Sequence, residues 1–172
     1  MCRILFFDDY PYASENQLFR MNLEDELRPG LRVSIVPEKT VSGFENAARR
    51  FLYDIVILDI MAEAPGKLLQ TGTGLEVPSS QTGIELLRRC RVGEYGRHYT
   101  LCPVFMRSAR GETDIRDECL RSGASGYFQV GGEDEQLIEA IRVALEAQKA
   151  AIKEADRPDT DPRAKADEPD RI

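Results

Sequence analysis

The segment Asp54-Ile-Val-Ile-Leu-Asp59 limits the fold of this chain more than any other. Four consecutive apolar residues between two aspartates read as a strand, over residues 54–59. Nothing polar alternates with them, so both faces of the strand must be buried. A strand covered on both faces belongs in a parallel sheet with helices on each side. The rest of the chain supplies those layers. Arg3-Ile-Leu-Phe-Phe7 is a first strand that stops at Asp8, Asp9, Tyr10 and Pro11. Ser14 and Gln17 have capping-box spacing and open a helix that Pro29 and Gly30 stop after about residue 28. Residues 31–36 are a second strand, ended by Pro37. Ser42 and Glu45 form a second capping box, followed by Phe44, Ala47, Ala48 and Phe51 at helical spacing.

Beyond the central strand the rhythm breaks. Residues 62–81 show no period and read as a long inserted loop. Thr82 and Glu85 form a third capping box, and Leu86, Leu87 and Cys90 continue that helix. Residues 102–106 are a fourth strand, 113–122 a short helix closed by Gly123, and 127–130 a fifth strand. Gly132 opens a last helix, with Glu133, Asp134 and Glu135 where the helix dipole favours acids. Its buried stripe is Leu137, Ile138, Ile141, Ala144 and Leu145. The pattern is (βα)5, a flavodoxin-like three-layer α/β sandwich with a five-stranded parallel sheet in the order 2-1-3-4-5. Residues 1–153 form a single domain, and 154–172 are a charged, Pro-containing tail expected to be disordered.

Composition narrows the function. A net charge of −7 leaves no broad basic face for nucleic acid. No apolar run exceeds four residues, so no membrane span is expected, and the acids after the first run argue against a signal peptide. Cys2, Cys90, Cys102 and Cys119 lack CxxC spacing, and His98, expected in a surface loop, is the one histidine. Neither a zinc site nor a disulfide framework is expected, and the expected compartment is the cytoplasm.

In an open parallel sheet, ligands bind beyond the carboxyl ends of the strands, where strand order reverses. In this order that point lies between strands one and three, which end in Asp8, Asp9 and Asp59. Two unit charges about 4 Å apart repel by roughly 4 kcal/mol at an effective dielectric near 20. Such a cluster calls for a hard cation, and Mg2+ fits oxygen ligands. The simpler alternative is that Asp8 or Asp9 caps the first helix, a task for which Ser14 is already placed.

These residues resemble the receiver domain of bacterial response regulators. The acid pair after strand one, the Asp ending strand three, Ser108-Ala109 after strand four and Gly123-Ala-Ser-Gly-Tyr127 carry the likeness. It spans residues 1 to about 147, apart from the loop. The resemblance implies that Asp59 is the phosphoacceptor. It implies that Asp9 binds Mg2+ directly, Asp8 through water, and Met61 through its backbone carbonyl. Ser108 and Ala109 would bind the phosphoryl group, and Ser108 and Tyr127 would act as switch residues. A loop cap for Ser108 and plain sheet packing for Tyr127 are the alternatives.

Two departures stand out. Receivers usually carry Lys then Pro at the end of strand five; here Val130 and Gly131 occupy those positions. Val cannot make the charge-assisted contact to a phosphoryl oxygen, so phosphorylation should couple weakly to the face carrying Tyr127. Lys67 in the inserted loop, Arg107 and Arg110 are candidate substitutes. The loop itself is a lid or docking surface by its position, and its Thr71-Gly-Thr-Gly74 is a lone weak match to a phosphate-binding turn.

The expected function is a stand-alone receiver in a Mg2+-dependent phosphorelay. It would take a phosphoryl group from a histidine kinase or phosphotransfer protein and act through protein contacts on an unknown output protein. Enzymatic activity would be limited at most to phosphorylation and dephosphorylation of Asp59 itself. Homodimerisation through the last helix, which carries Ile152 beyond the sheet, is expected; nucleic acid and membrane are not. The alternative is a phosphorylation-independent binding module of the same fold. A Mg2+-dependent phosphohydrolase is a third reading, opposed by the lack of an acid-x-acid motif after strand one.

Overall fold

The computed structural model describes residues 1–61 and 76–155. Its sheet has five parallel strands in the order β2-β1-β3-β4-β5. They are β1 (Cys2–Phe7), β2 (Val33–Glu38), β3 (Ile55–Leu58), β4 (Val104–Ser108) and β5 (Gly126–Gln129). The helices are α1 (Ser14–Leu27), α2 (Val41–Arg50), α3 (Thr82–Arg91), α4 (Thr113–Arg121) and α5 (Asp134–Ala155). The (βα)5 architecture and strand order are those the sequence implies.

The central strand is buried on both faces. Ile55 and Ile57 pack with Ile4, Phe6 and Phe105 under α1 and α5, against Phe19, Leu23, Leu137 and Ile141. Val56 and Leu58 point the other way, with Leu5, Phe7 and Met106, under α2 and α3. Phe44, Tyr95 and Tyr99 complete that second layer, with edge-to-face ring contacts. The period of two thus feeds two separate cores. Among the described residues, no helix is long and apolar enough to cross a membrane.

Several boundaries differ from the sequence expectation. None of the three capping boxes forms. α1 has Ala13 at its N-cap with no side-chain bond, and Gln17 donates instead to the Tyr12 carbonyl at 2.6 Å. α2 is capped by Thr40, whose hydroxyl accepts from Gly43 N at 3.0 Å, so Ser42 already lies inside the helix. α3 follows a short 3-10 turn, and its N-cap is Gln81. β2 begins later and runs through Pro37, because it is an edge strand and one side of its backbone needs no partner. β4 extends two residues further than expected, taking Arg107 and Ser108 into the sheet. Val130 lies just past β5 rather than in it. α5 extends to Ala155, two residues past the expected domain end.

Candidate functional site

β1 and β3 pair in register from Ile4 with Ile55 to Phe7 with Leu58, so both strands end at the same level. The chain beyond each end supplies the acids. Asp8 N donates to the Glu38 carbonyl at 3.1 Å, and Asp59 N to the Phe7 carbonyl at 2.9 Å. Carboxylate oxygens of Asp8, Asp9 and Asp59 all lie within 4.8 Å of one another. The strand order alone, read from sequence, brings this trio together.

The three acids differ in environment. Asp8 is 7% exposed, and both its oxygens are engaged. Oδ1 accepts from Tyr10 N at 2.8 Å, and Oδ2 from the Asn16 amide at 2.9 Å. It therefore caps its own turn and not α1. Burial raises its proton affinity, opposed by the Tyr10 bond. Asp59 Oδ1 accepts from Ile60 N at 2.7 Å. Its pKa is pushed up to about 7, first by burial and then by the Asp8 charge. The bond from Ile60 and the Ser108 hydroxyl favour its ionised form, but do not outweigh burial. Burial and the Asp8 charge together disfavour the Asp59 carboxylate, and a dication between the acids would offset both. The all-oxygen donor set suits Mg2+.

Ser108 ends β4 beside this trio, fully buried, and its Oγ accepts from Arg110 N at 3.4 Å. Ala109 is exposed at the same rim. Tyr127 is buried on β5, and its hydroxyl donates to the Arg110 carbonyl, tying β5 to the loop after Ser108. Val130 N donates to the Ser108 carbonyl at 3.0 Å, which holds its backbone against the end of β4. Met61, 37% exposed, directly follows Ile60. Lys67 and Thr71–Gly74 lie outside the described residues. Arg110 pairs with Glu112, at 3.1 Å from Nη2. Arg107 faces the α1 and α5 layer instead. His98 is exposed, on a short turn before β4, and Nε2 lies 2.6 Å from the Tyr53 carbonyl.

Two residues, Gly83 and Asn16, escape the sequence reading, and a third, Arg107, has a place that reading did not give it. Gly83, in the first turn of α3, donates its N–H to the Ile60 carbonyl at 3.0 Å. A Cβ there would stand 2.0 Å from the Asp59 carbonyl oxygen, so only glycine lets α3 press on the Asp59 backbone. Its sequence signal was masked by the capping-box pattern around it. Asn16 is bound to Arg107, which the sequence reading offered only as a substitute charge at the site. Arg107 is conspicuous as a charge beside an apolar run, but its partner lies 91 residues away.

Solved structures share this architecture. The signal receiver domain of a DNA-binding response regulator from Colwellia psychrerythraea 34H aligns with a TM-score of 0.64 at 15% identity, over 85% of this chain and 99% of that one. A LuxR-family two-component response regulator from Aurantimonas sp. SI85-9A1 gives 0.61 at 21%, over 91% and 99%. The receiver domain of the Francisella response regulator 1452 gives 0.61 at 19%, over 86% and 99%. The fold is that of a receiver domain. No protein-family model and no curated protein matches the sequence. The receiver fold spans nearly the full length of those structures, and its acid trio sits at the switch point between β1 and β3.

Proposed function

We propose that this chain is a response-regulator receiver that accepts a phosphoryl group on Asp59. The observation that carries this is the trio Asp8, Asp9 and Asp59, whose oxygens meet within 4.8 Å beside the buried Ser108. Asp9 and Asp59 would hold Mg2+ directly, with the Met61 carbonyl. Asp8, both of whose oxygens already accept hydrogen bonds, would act through water. The ion would neutralise the acids and the charge of the incoming phosphoryl oxygens. An Asp59 carboxylate oxygen attacks phosphorus in line. The bond from phosphorus to the donor histidine nitrogen breaks, and the imidazole leaves with its electron pair. Ile60 N holds the other carboxylate oxygen in place, and Ser108 donates to a phosphoryl oxygen. Ala109 N–H lies in the same loop start and would add a backbone donor.

The donor would be a histidine kinase or phosphotransfer protein in a cytoplasmic phosphorelay. Output would run through protein contacts, with Tyr127 linking Ser108 to β5. A homodimer through α5 would use Ile152, which is 63% exposed. Labelled acetyl phosphate with Mg2+ tests the chemistry. Label that hydroxylamine releases, as it does from an acyl phosphate, supports the proposal; label that persists points to a hydroxyl ester and contradicts it. Val130 favours a second reading, a binding module that works without phosphorylation. Failure of labelling in a folded protein that binds Mg2+ would select it.

A further inference from the structure

Arg107 is 1% exposed, the most deeply buried charge among the described residues. It shares a strand face with Phe105, toward α1 and α5. Each of its three nitrogens has a hydrogen-bond partner there. Nε and Nη2 reach the two oxygens of Asp134 at 2.8 and 3.1 Å, Nη1 reaches Asn16 Oδ1 at 2.7 Å, and Cζ lies 4.3 Å from the Phe19 ring centroid. Burying such a charge is costly unless each donor is satisfied.

Asn16 joins this cation to the acid trio. Its oxygen accepts from Arg107, while its Nδ2 donates to Asp8 Oδ2 and to the Tyr10 carbonyl, both at 2.9 Å. Only one orientation of the amide works. Turned over, its oxygen would face the Asp8 carboxylate and its NH2 the guanidinium. The row Asp8, Asn16, Arg107, Asp134 therefore alternates acceptor and donor from the site to the first residue of α5. In such a row each bond polarises the next.

We propose that Asn16 and Arg107 are positioning residues that couple occupancy of the acid trio to the first turn of α5. This rests on the trio's being a cation site. A dication beside Asp8 weakens its hold on Asn16, and Arg107 then shifts toward Asp134. By reciprocity, whatever alters the Arg107–Asp134 pair alters cation affinity. The route runs through α1 and β4 and bypasses Val130.

Mg2+ titration of the labelled wild-type protein, followed by NMR, is the test. Arg107 Nε–H and the Asp134 amide should shift with the same midpoint as the Asp9 and Ile60 amides. Asn16→Leu should abolish the distant shifts and keep the near ones. Opposite signs are expected from the two ends of the row. Arg107→Met should tighten Mg2+ and Asp134→Asn weaken it, each about fivefold, the low end of ordinary site-to-site coupling. In the double variant the Asp134 effect should disappear. A purely structural pair would weaken binding in both single variants, which overturns the proposal. So does an Arg107 signal that stays still in the wild type while Asp9 and Ile60 respond. If Asp9 and Ile60 are also silent, the cation site itself fails and the coupling falls with it.

Discussion

Asp59 is the residue where the fold works against its own charge. Its ordinary carboxyl pKa of 3.8 rises to about 7 in the fold, so the folded state binds a proton that the unfolded chain has already released. Stability from this residue is therefore full at pH below about 4 and declines as pH rises to about 7, a change on the order of 4 kcal/mol at most. Asp59→Asn should raise the melting temperature of the metal-free protein, and by more at pH 8 than at pH 5. A gain independent of pH would contradict the assignment. Burial is the main cause, with the Asp8 charge second, so an added dication should cancel part of the gain. On the proposed reading, Val130 would work in the opposite direction, leaving a phosphorylated Asp59 short of one charge-assisted bond worth about 1.5–3 kcal/mol.

At the scale of elements, the first turn of α3 is the most constrained piece. Gly83→Ala would drive a methyl group into the Asp59 carbonyl, with Asp59 C at 2.8 Å and Ile60 Cα at 2.9 Å also in the way. Because these are backbone atoms, the helix must move. The expected loss is about 1–3 kcal/mol in denaturant unfolding, accompanied by weaker Mg2+ binding. An unchanged midpoint would mean that α3 does not support the site. The far end of α5 raises the other question at this scale. Ile152→Asp should leave folding intact and lower the sedimentation coefficient at micromolar concentration, if α5 joins two copies. Identical monomers for both proteins would remove the dimer.

Element ends also mark where the sequence is legible. β3 was plain because four apolar residues without alternation admit few environments. Helix caps were not, because the Ser/Thr-x-x-Glu/Gln spacing fits residues already inside a helix as well as a cap. Thr40, two residues ahead of Ser42, takes the role instead. Arg107 and Ser108 looked like the end of β4 because both are polar, yet each is buried in the sheet by a partner from elsewhere in the chain or at the site. A polar residue in a strand signals its burial only through a partner, and distant partners are invisible in a local pattern.

For the whole molecule, topology does most of the placing. The order β2-β1-β3-β4-β5 puts the ends of β1 and β3 side by side, and three aspartates follow. That convergence was legible because it needs only the alternation of strands and helices. The row from Asp8 to Asp134 was not, because it depends on side-chain orientation across α1, β4 and α5. Relief of repulsion should make Mg2+ stabilise the whole fold, by roughly 1.4 kcal/mol at tenfold excess over its dissociation constant. A melt in Mg2+ against EDTA reads this directly, and Asp9→Asn should abolish the shift. A midpoint unmoved at several millimolar Mg2+ would count against the site.

The central claim is that Asp59 is the acceptor and that its neighbouring acids make it reactive through a cation. Intact mass after incubation with acetyl phosphate tests both parts together. The wild type in Mg2+ should gain one phosphoryl group, and the same protein in EDTA, Asp9→Asn and Asp59→Asn should gain none. A phosphoryl group that survives Asp59→Asn, or a wild type that labels equally well in EDTA, would contradict the account.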